Sequence, residues 1–332
     1  MIDFPEFIDS SMLASYKSCP QKFMRSYMQH WKPKGLSVHL IAGKAFATAL
    51  EVTRKCFYEG TATYEKRTKV PGEGGIEVEV REKVTATCPV GDKDTAIAEG
   101  LRALILSYGD FQCPPDSAKS LERMLGAFEF YWDNYALELD PENSPLLMAS
   151  GKRAIEFSFS EPIDVTHPTT GNPILYVGKM DALMRYAGGN YIVDEKTTSS
   201  LGPSWSRQWE LRGQFSGYCW GAGKANIHVD GAIVRGVSIL KTKYDTQQAL
   251  TYRPEWQLDR WYQETCAWIE AMIADFKSGR FLHNLSESCA EYGGCSFVQI
   301  CTTQTPQPWL ETNFERRVWN PVLHEESLLI GP

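Results

Sequence analysis

The sequence predicts an α/β chain of the α+β kind, with a mixed central sheet flanked by helices. Three observations carry this. Residues 152–196 leave helical spacing for the alternation of half-buried strands. Helical periodicity dominates before that stretch and returns after about residue 206. A further strand-like run, Ala232–Leu240, lies between two helical segments. The order is helix, three strands, helix, strand.

Ser10 or Ser11 caps a helix in which Leu13, Tyr16, Phe23 and Tyr27 recur at helical intervals, and Cys19-Pro20 interrupts it. A second helix is expected from about Val38 to Tyr58, with Leu40, Ala47, Leu50 and Phe57 on its inner side. Residues 59–92 are polar and Gly-rich, with an alternating segment Ile76-Glu77-Val78-Glu79-Val80, and read as an exposed loop or β-ribbon. Residues 93–138 read as two helices separated by Cys113-Pro114-Pro115. Ala154–Phe159 alternates as a strand. Ile174–Tyr186 and Tyr191–Lys196 form a hairpin across Ala187-Gly188-Gly189-Asn190. A helix over about Ser206–Lys224, the Ala232–Leu240 strand and a long amphipathic helix over Trp256–Ser278 complete the core. No internal repeat, low-complexity segment or long linker divides the chain, so one domain is expected over 1–332, with 59–150 a variable, partly helical insertion.

Composition bounds the rest. The 332 residues are 43% hydrophobic and 23% charged, ordinary for a soluble globular protein. No apolar run reaches transmembrane length, and the N-terminus lacks the basic and apolar regions of a signal peptide. A cytoplasmic, reducing location is the default, and the nine cysteines are then not a disulfide framework. The net charge of −7 counts against a surface that grips nucleic acid all over, but not against a local basic groove.

The chemistry concentrates in Y-V-G-K-M-D-A-L-M-R-Y-A-G-G-N-Y-I-V-D-E-K-T at 176–197. Residues two apart on a strand share a face, so Asp194 and Lys196 point together and Glu195 the other way. With Asp181 on the neighbouring strand, they make a carboxylate pair beside an ammonium, a pattern suited to holding a metal for phosphodiester hydrolysis. Taken singly, each residue has a bland reading. Asp-x-Lys on a strand is a surface ion pair, Asp181 a turn residue, Glu156 part of a solvated face. Gln214 and Tyr218, four apart on one helical face, read as packing and capping. Near the C-terminus Cys289, Cys295 and Cys301 recur at six-residue intervals beside Gly293-Gly294, unlike the C-x-x-C spacing of structural zinc. Cys56, Cys88, Cys113, Cys219 and Cys266 show no ligand spacing.

The ordered set resembles the RecB-like branch of the PD-(D/E)XK nuclease superfamily, in particular its iron–sulfur members such as the AddB nuclease domain and the CRISPR-associated nucleases. G-K-M-D at 178–181 looks like the first acidic motif, I-V-D-E-K-T at 192–197 like D-x-K-T/S, Q-F-S-G-Y at 214–218 like Q-x-x-x-Y, and S-Y-x-x-C-P-x-x-F at 15–23 like the N-terminal motif of the iron–sulfur members. The C-terminal cysteines are a fifth match. The likeness spans about Ser10 to Cys301, leaving about Glu59 to Ser150 unmatched.

The resemblance implies a restriction-endonuclease-like core and a Mg²⁺- or Mn²⁺-dependent deoxyribonuclease, an exonuclease acting on ends or single strands. Asp181, Asp194 and the backbone carbonyl of Glu195 would hold the metal, and Glu156 would add a carboxylate. Lys196 would orient water or stabilise charge, and Gln214 and Tyr218 would position water or DNA. Cys19, Cys289, Cys295 and Cys301 would hold a [4Fe–4S] cluster, joining segment 282–304 to the N-terminal helix, with Zn²⁺ in the same four sites as the competing occupant. Lys17, Lys22, Arg25, Arg207 and Arg212 are candidate phosphate contacts, and Trp205 and Trp209 candidates for stacking on an unpaired base, against the reading of a solvated face over core tryptophans. Recombination, phage or CRISPR-adaptation proteins are the implied partners. One departure stands out. In G-K-A-F-A-T-A-L-E, Gly43 and Glu51 keep the register of G-x-x-x-H-x-x-x-E, but Ala47 replaces the metal-binding histidine. That favours, as the alternative, a nucleic-acid-binding or assembly subunit with a degraded site.

Overall fold

The structure is a computed structural model and describes residues 3–35, 37–71, 77–114, 116–285, 287–290, 294–322 and 325–328. Ile76, Pro115 and Gly293, each part of a motif noted above, lie outside the described residues.

The chain opens with β1 (Phe7–Ile8) and α1 (Ser10–Ser18). The capping residue is Asp9, not a serine: its carboxylate accepts from the Met12 N–H at 2.7 Å. Cys19 ends α1 in an extended conformation, and Pro20 starts α2 (Pro20–Phe23) at the first helical position, where a missing N–H costs nothing. A π-helical turn, Met24–Met28, leads to β2 (Trp31–Pro33). Helix α3 (Val38–Glu59) ends at Gly60, whose φ of 76° is the left-handed cap. Its inner face is Ala42, Ala45, Phe46, Ala49, Leu50 and Phe57, whereas Leu40 is 73% exposed and Ala47 is exposed too, contrary to the expected inner stripe. The helix turns a more small-residue face inward than apolar spacing alone suggested.

The polar stretch forms a two-stranded antiparallel ribbon, β3 (Thr61–Pro71) and β4 (Glu77–Thr87). Helices α4 (Lys93–Tyr108) and α5 (Leu121–Asn134) follow, each capped by an Asp or Ser side chain. Next come β5 (Ile155–Thr166), β6 (Pro173–Tyr186) and β7 (Gly189–Thr198), joined as expected by a hairpin at β6–β7. Ala187 and Gly188, at φ 47° and 83°, form its two-residue loop with both residues left-handed, which suits the twist of the strands.

The expected helix over Ser206–Lys224 is two helices, α6 (Pro203–Arg207) and α7 (Gly213–Lys224). A turn separates them, and the buried Arg253 guanidinium ties it down by donating to the Trp209 carbonyl and the Ser216 hydroxyl. Strand β8 (Gly231–Ile239) is followed by β9 (Tyr244–Tyr252), which the sequence reading passed over because Tyr244–Leu250 is largely polar at the sheet edge. The chain ends with α8 (Glu255–Ser278), α9 (Val298–Cys301), α10 (Pro306–Asn313), β10 (Phe314–Asn320) and β11 (Glu325–Leu328).

The central sheet is mixed, in the order β1-β6-β7-β8-β9, with β5 on the other side of β6. β7–β8 is parallel, and β6–β7 and β8–β9 are antiparallel. One face packs a core of α1, α7 and α8 residues such as Leu13, Phe215 and Ile269. The other packs α3, α4 and α5 through Leu50, Leu104 and Phe128. The stretch read as an insertion thus supplies two of the three helices on one face. Strand β10 pairs antiparallel with β2, which brings the two ends of the chain together, and Trp319 Nε1 donates to Asp9 at 2.8 Å. Among the described residues no helix is long and apolar enough to cross a membrane.

Candidate active site

Strand pairing creates the site. The β6–β7 ladder ends at Ala182↔Val193, and the same edge of β6 is next paired only at Leu175 and Tyr176, by β1. β7 continues to Thr198 on β8 alone. The strands therefore part between residues 177–181 of β6 and 194–198 of β7. Asp181 sits at the fork. Its carboxylate takes the place of the lost ladder partner, accepting from the Glu195 N–H at 3.1 Å.

A face change occurs at the same level. Ile155 and Ala182 pair and lie on the α3 side, while Phe157 and Met180, the next pair of the same register, pack in the α7–α8 core. Glu156, between them, has φ 55°. A left-handed glutamate inside a strand is costly and marks a locally imposed geometry. The simple alternation expected over Ala154–Phe159 is broken there.

Asp194 and Lys196 share a face, as expected, with Lys196 Nζ 2.5 Å from the Asp194 carboxylate. Glu195 points away. Its side chain is buried on the α3 face, paired with Arg54 and accepting from the Tyr131 hydroxyl at 2.8 Å. Glu156 pairs with Lys179 at 2.5 Å, and Glu51, from α3, interacts with it and pairs with Lys55. On α7 the Gln214 amide donates to the Tyr218 hydroxyl at 3.0 Å. The glycine of G-K-M-D has a packing reason: a Cβ on Gly178 would meet the Phe159 ring at 2.6 Å and Tyr218 at 3.0 Å.

The charges of the site are out of balance. Burial, then Asp194, Glu195 and Glu156, push the Asp181 carboxyl well above the ordinary carboxylate range. Burial also raises Asp194, against the pull of Lys196. Glu156 is pushed up to about 7, by burial first and Glu51 next. Burial disfavours the Lys196 ammonium, but Asp194 and Asp181 outweigh it and keep the group charged. Burial and the two aspartates hold the Tyr218 phenol well above its usual value, so it stays a neutral donor. Arg54 has the opposite effect on Glu195, overcoming burial to keep that carboxylate ionised.

Asp181, Asp194, Lys196, Gln214 and Tyr218 thus come together, with Glu156 beside them but turned to Lys179. Among the described residues no three His, Cys, Asp or Glu side chains lie close enough to hold a metal ion by themselves. The aspartates are a pair, not a triad.

Cys19, Cys289, Cys295 and Cys301 line one cavity, with Lys22, Arg25 and His283 among its other walls. Both ends of the chain contribute, although the sulfurs do not close on a single ion. Three of the sequence-based contacts are corrected here. Arg25 is not a surface phosphate contact: it is 8% exposed, and its Nη1 donates to the Cys301 sulfur at 3.1 Å. Trp205 and Trp209 are each 7% exposed and pack against one another in the core, so neither offers a ring to a base. Lys17, Arg207 and Arg212 are exposed. The sequence reading missed Arg54, Tyr131 and Lys179. Arg54 had a signal: a charged residue on the apolar stripe between Leu50 and Phe57 must find a buried partner.

A model of the PD-(D/E)XK nuclease superfamily matches residues 10–302. No curated protein matches. One solved structure, described as a "putative exonuclease" from Eubacterium rectale, is 12% identical, with 86% of each chain covered and a TM-score of 0.47. Another, SSO0001, is 15% identical over 45% of this chain and 61% of its own, with a TM-score of 0.26. Those two likenesses add nothing to the assignment. The family match, running from α1 to just beyond the last cysteine, spans most of the sequence, and the mixed sheet with helices on both faces is consistent with a restriction-endonuclease-like fold; the chain belongs to the PD-(D/E)XK nuclease superfamily.

Proposed function

We propose that this chain is a metal-dependent DNA nuclease of the RecB-like, iron–sulfur branch, acting as an exonuclease on ends or single strands. One observation carries the reading: the strands part where Asp181, Asp194 and Lys196 meet, with Tyr218 and Gln214 facing them.

The residues fit a hard divalent ion. Two buried carboxylates with an excess of negative charge around them are relieved by a cation, and carboxylate oxygen is the donor that Mg²⁺ and Mn²⁺ prefer. Asp181 and Asp194 would hold it. A residue's N–H and C=O leave a strand on the same edge, so the Glu195 carbonyl shares the gap with the N–H that Asp181 accepts, which supports it as a third ligand. The ion, when bound, supplies an acidified water and charge to offset the phosphate. Lys196, kept protonated by the aspartates, stabilises negative charge at the reacting phosphate. Tyr218, neutral and fixed by Gln214, donates a hydrogen bond. Glu156 is a reserve carboxylate, freed if Lys179 turns to a phosphate. Arg207 and Arg212 contact the DNA backbone.

The four cysteines around one cavity support a [4Fe–4S] cluster, a group larger than a single ion, with Zn²⁺ the competing occupant. The cluster would be structural and tie the two ends of the chain. Brown, iron-containing protein after anaerobic purification is the expected result; colourless, zinc-loaded protein favours the competitor. Recombination, phage or CRISPR-adaptation proteins remain the partners that the resemblance implies.

The test is cleavage of end-labelled and circular single strands with Mn²⁺, Mg²⁺ or EDTA. Metal-dependent loss of the labelled end, abolished in Asp194→Ala and Lys196→Ala, is expected. Unchanged degradation in those variants removes the assignment. The second reading, a binding or assembly subunit, is favoured by Ala47 and by the pair of carboxylates in place of a triad. DNA binding without cleavage of any substrate would establish it.

A further inference from the structure

The residue between Asp194 and Lys196 is neither solvent-exposed nor idle. The Glu195 carboxylate lies on the back face of the sheet, and its side chain is 4% exposed. Arg54 of α3 grips both of its oxygens, with Nη1 3.2 Å from Oε2 and Nη2 in close contact with Oε1. The Tyr131 hydroxyl of α5 donates to Oε1 at 2.8 Å and accepts from Arg54 at 3.1 Å and from Arg235 of β8 at 3.3 Å. Every member of the group has a partner. Such a bidentate pair, locked by a third hydrogen bond, leaves the glutamate little rotational freedom.

What the grip acts on is the Glu195 peptide. That peptide lies beyond the end of the β6–β7 ladder, so on that edge no strand partner holds it. Its N–H instead orients the Asp181 carboxylate, and its two neighbours in sequence are Asp194 and Lys196. We propose that Arg54 and Tyr131 are positioning residues of the active site: by clamping the Glu195 side chain from behind, they hold the unladdered peptide that aims Asp181 and presents Asp194 and Lys196. Two helices that flank the sheet, one of them inside the 59–150 stretch, are then part of the catalytic apparatus without touching substrate. The inference rests on the nuclease reading above.

The alternative is that the group merely stabilises the fold, and a paired design separates the two. Arg54→Lys keeps the charge and loses the fork. The double variant Arg54→Met, Glu195→Leu replaces the buried pair by apolar side chains of similar size, a change that commonly keeps or improves stability. Full-length protein is measured for Mn²⁺ affinity by titration followed by electron paramagnetic resonance, without DNA, then for kcat and KM on an end-labelled strand, and for thermal unfolding.

Positioning predicts that both variants lose Mn²⁺ affinity or kcat by about 10–100-fold, with KM for DNA within about threefold and with the double variant folded. Tyr131→Phe loses less, in the same direction. A folded double variant with wild-type Mn²⁺ affinity and kcat overturns the proposal while the nuclease reading stands. If Arg54→Lys does not fold, the double variant alone decides. A wild-type protein that neither binds Mn²⁺ nor cleaves overturns both.

Discussion

Glu156 makes the stability of the metal-free chain depend on pH in a predictable direction. Burial first, then Glu51, push its carboxyl from 4.5 up to about 7, with Lys179 and Lys55 opposing. The folded state therefore binds the proton more tightly than the unfolded chain. Stability is highest below the unfolded value of 4.5 and falls as pH rises through about 7. At 1.36 kcal/mol for each tenfold change in proton affinity, the full displacement is worth about 3 kcal/mol. Part of it is already spent at pH 5, so roughly 2–3 kcal/mol remains between pH 5 and pH 8. Glu156→Gln removes the titration and keeps the shape; in the wild type burial disfavours the Lys179 ammonium, but Glu156, Glu51 and Asp181 outweigh it. The assay is urea unfolding in EDTA at pH 5, 6, 7 and 8 for both proteins, compared as the difference between their unfolding free energies. Other groups cancel in that difference, except for what Glu156 does to Lys179 and Asp181. The variant should gain on the wild type by about 2–3 kcal/mol from pH 5 to pH 8. Two curves that stay parallel within about 0.5 kcal/mol would refute the account of a crowded, buried carboxylate.

Three further outcomes follow from packing and partners. Gly221→Ala should cost about 1–3 kcal/mol in denaturant unfolding, because the added Cβ would meet the Phe159 ring at 2.5 Å; kcat should fall with it, since Gln214 and Tyr218 ride on the same helix. Asp9→Ala should cost about 1–3 kcal/mol by thermal or urea unfolding, removing both the α1 cap and the acceptor of Trp319, and Asp9→Asn should restore most of it. Lys119 is buried with no hydrogen-bond partner for Nζ among the described residues, and burial lowers its ammonium from 10.5 to about 8. A lowered lysine weakens the fold below pH 8 and recovers as pH rises toward 10.5, so Lys119→Met should raise stability at pH 7 by up to about 3 kcal/mol, an advantage that shrinks to under about 1 kcal/mol near pH 10.

Much of the candidate site was legible because it is local. Asp194 and Lys196 face one way and Glu195 the other because a strand alternates, whatever surrounds it. The hairpin between β6 and β7 needs only two residues that accept positive φ, and Ala187-Gly188 supply them. Cys19-Pro20 ends a helix for reasons internal to the dipeptide. The edge strand β9 was not legible, because its polar residues earn their place only through backbone pairing with β8. The division of α6 from α7 was hidden for a related reason: it depends on Arg253, which arrives from the end of β9.

By itself, then, the sequence determined the core order of helix, three strands, helix and strand, the two aspartates and the lysine on neighbouring strands, and the grouping of cysteines at the chain's two ends. Those features follow from periodicity, turn chemistry and spacing within a few residues. Only the tertiary structure decided that β6 and β7 part at Asp181, that Glu156 reverses the face of its strand, that Trp205 is core, and that Arg25 faces Cys301. It also decided that Glu195 is gripped by Arg54, 141 residues earlier in the chain. A buried charge must have a partner, and which one it meets depends on how distant segments pack, a matter that no local pattern records.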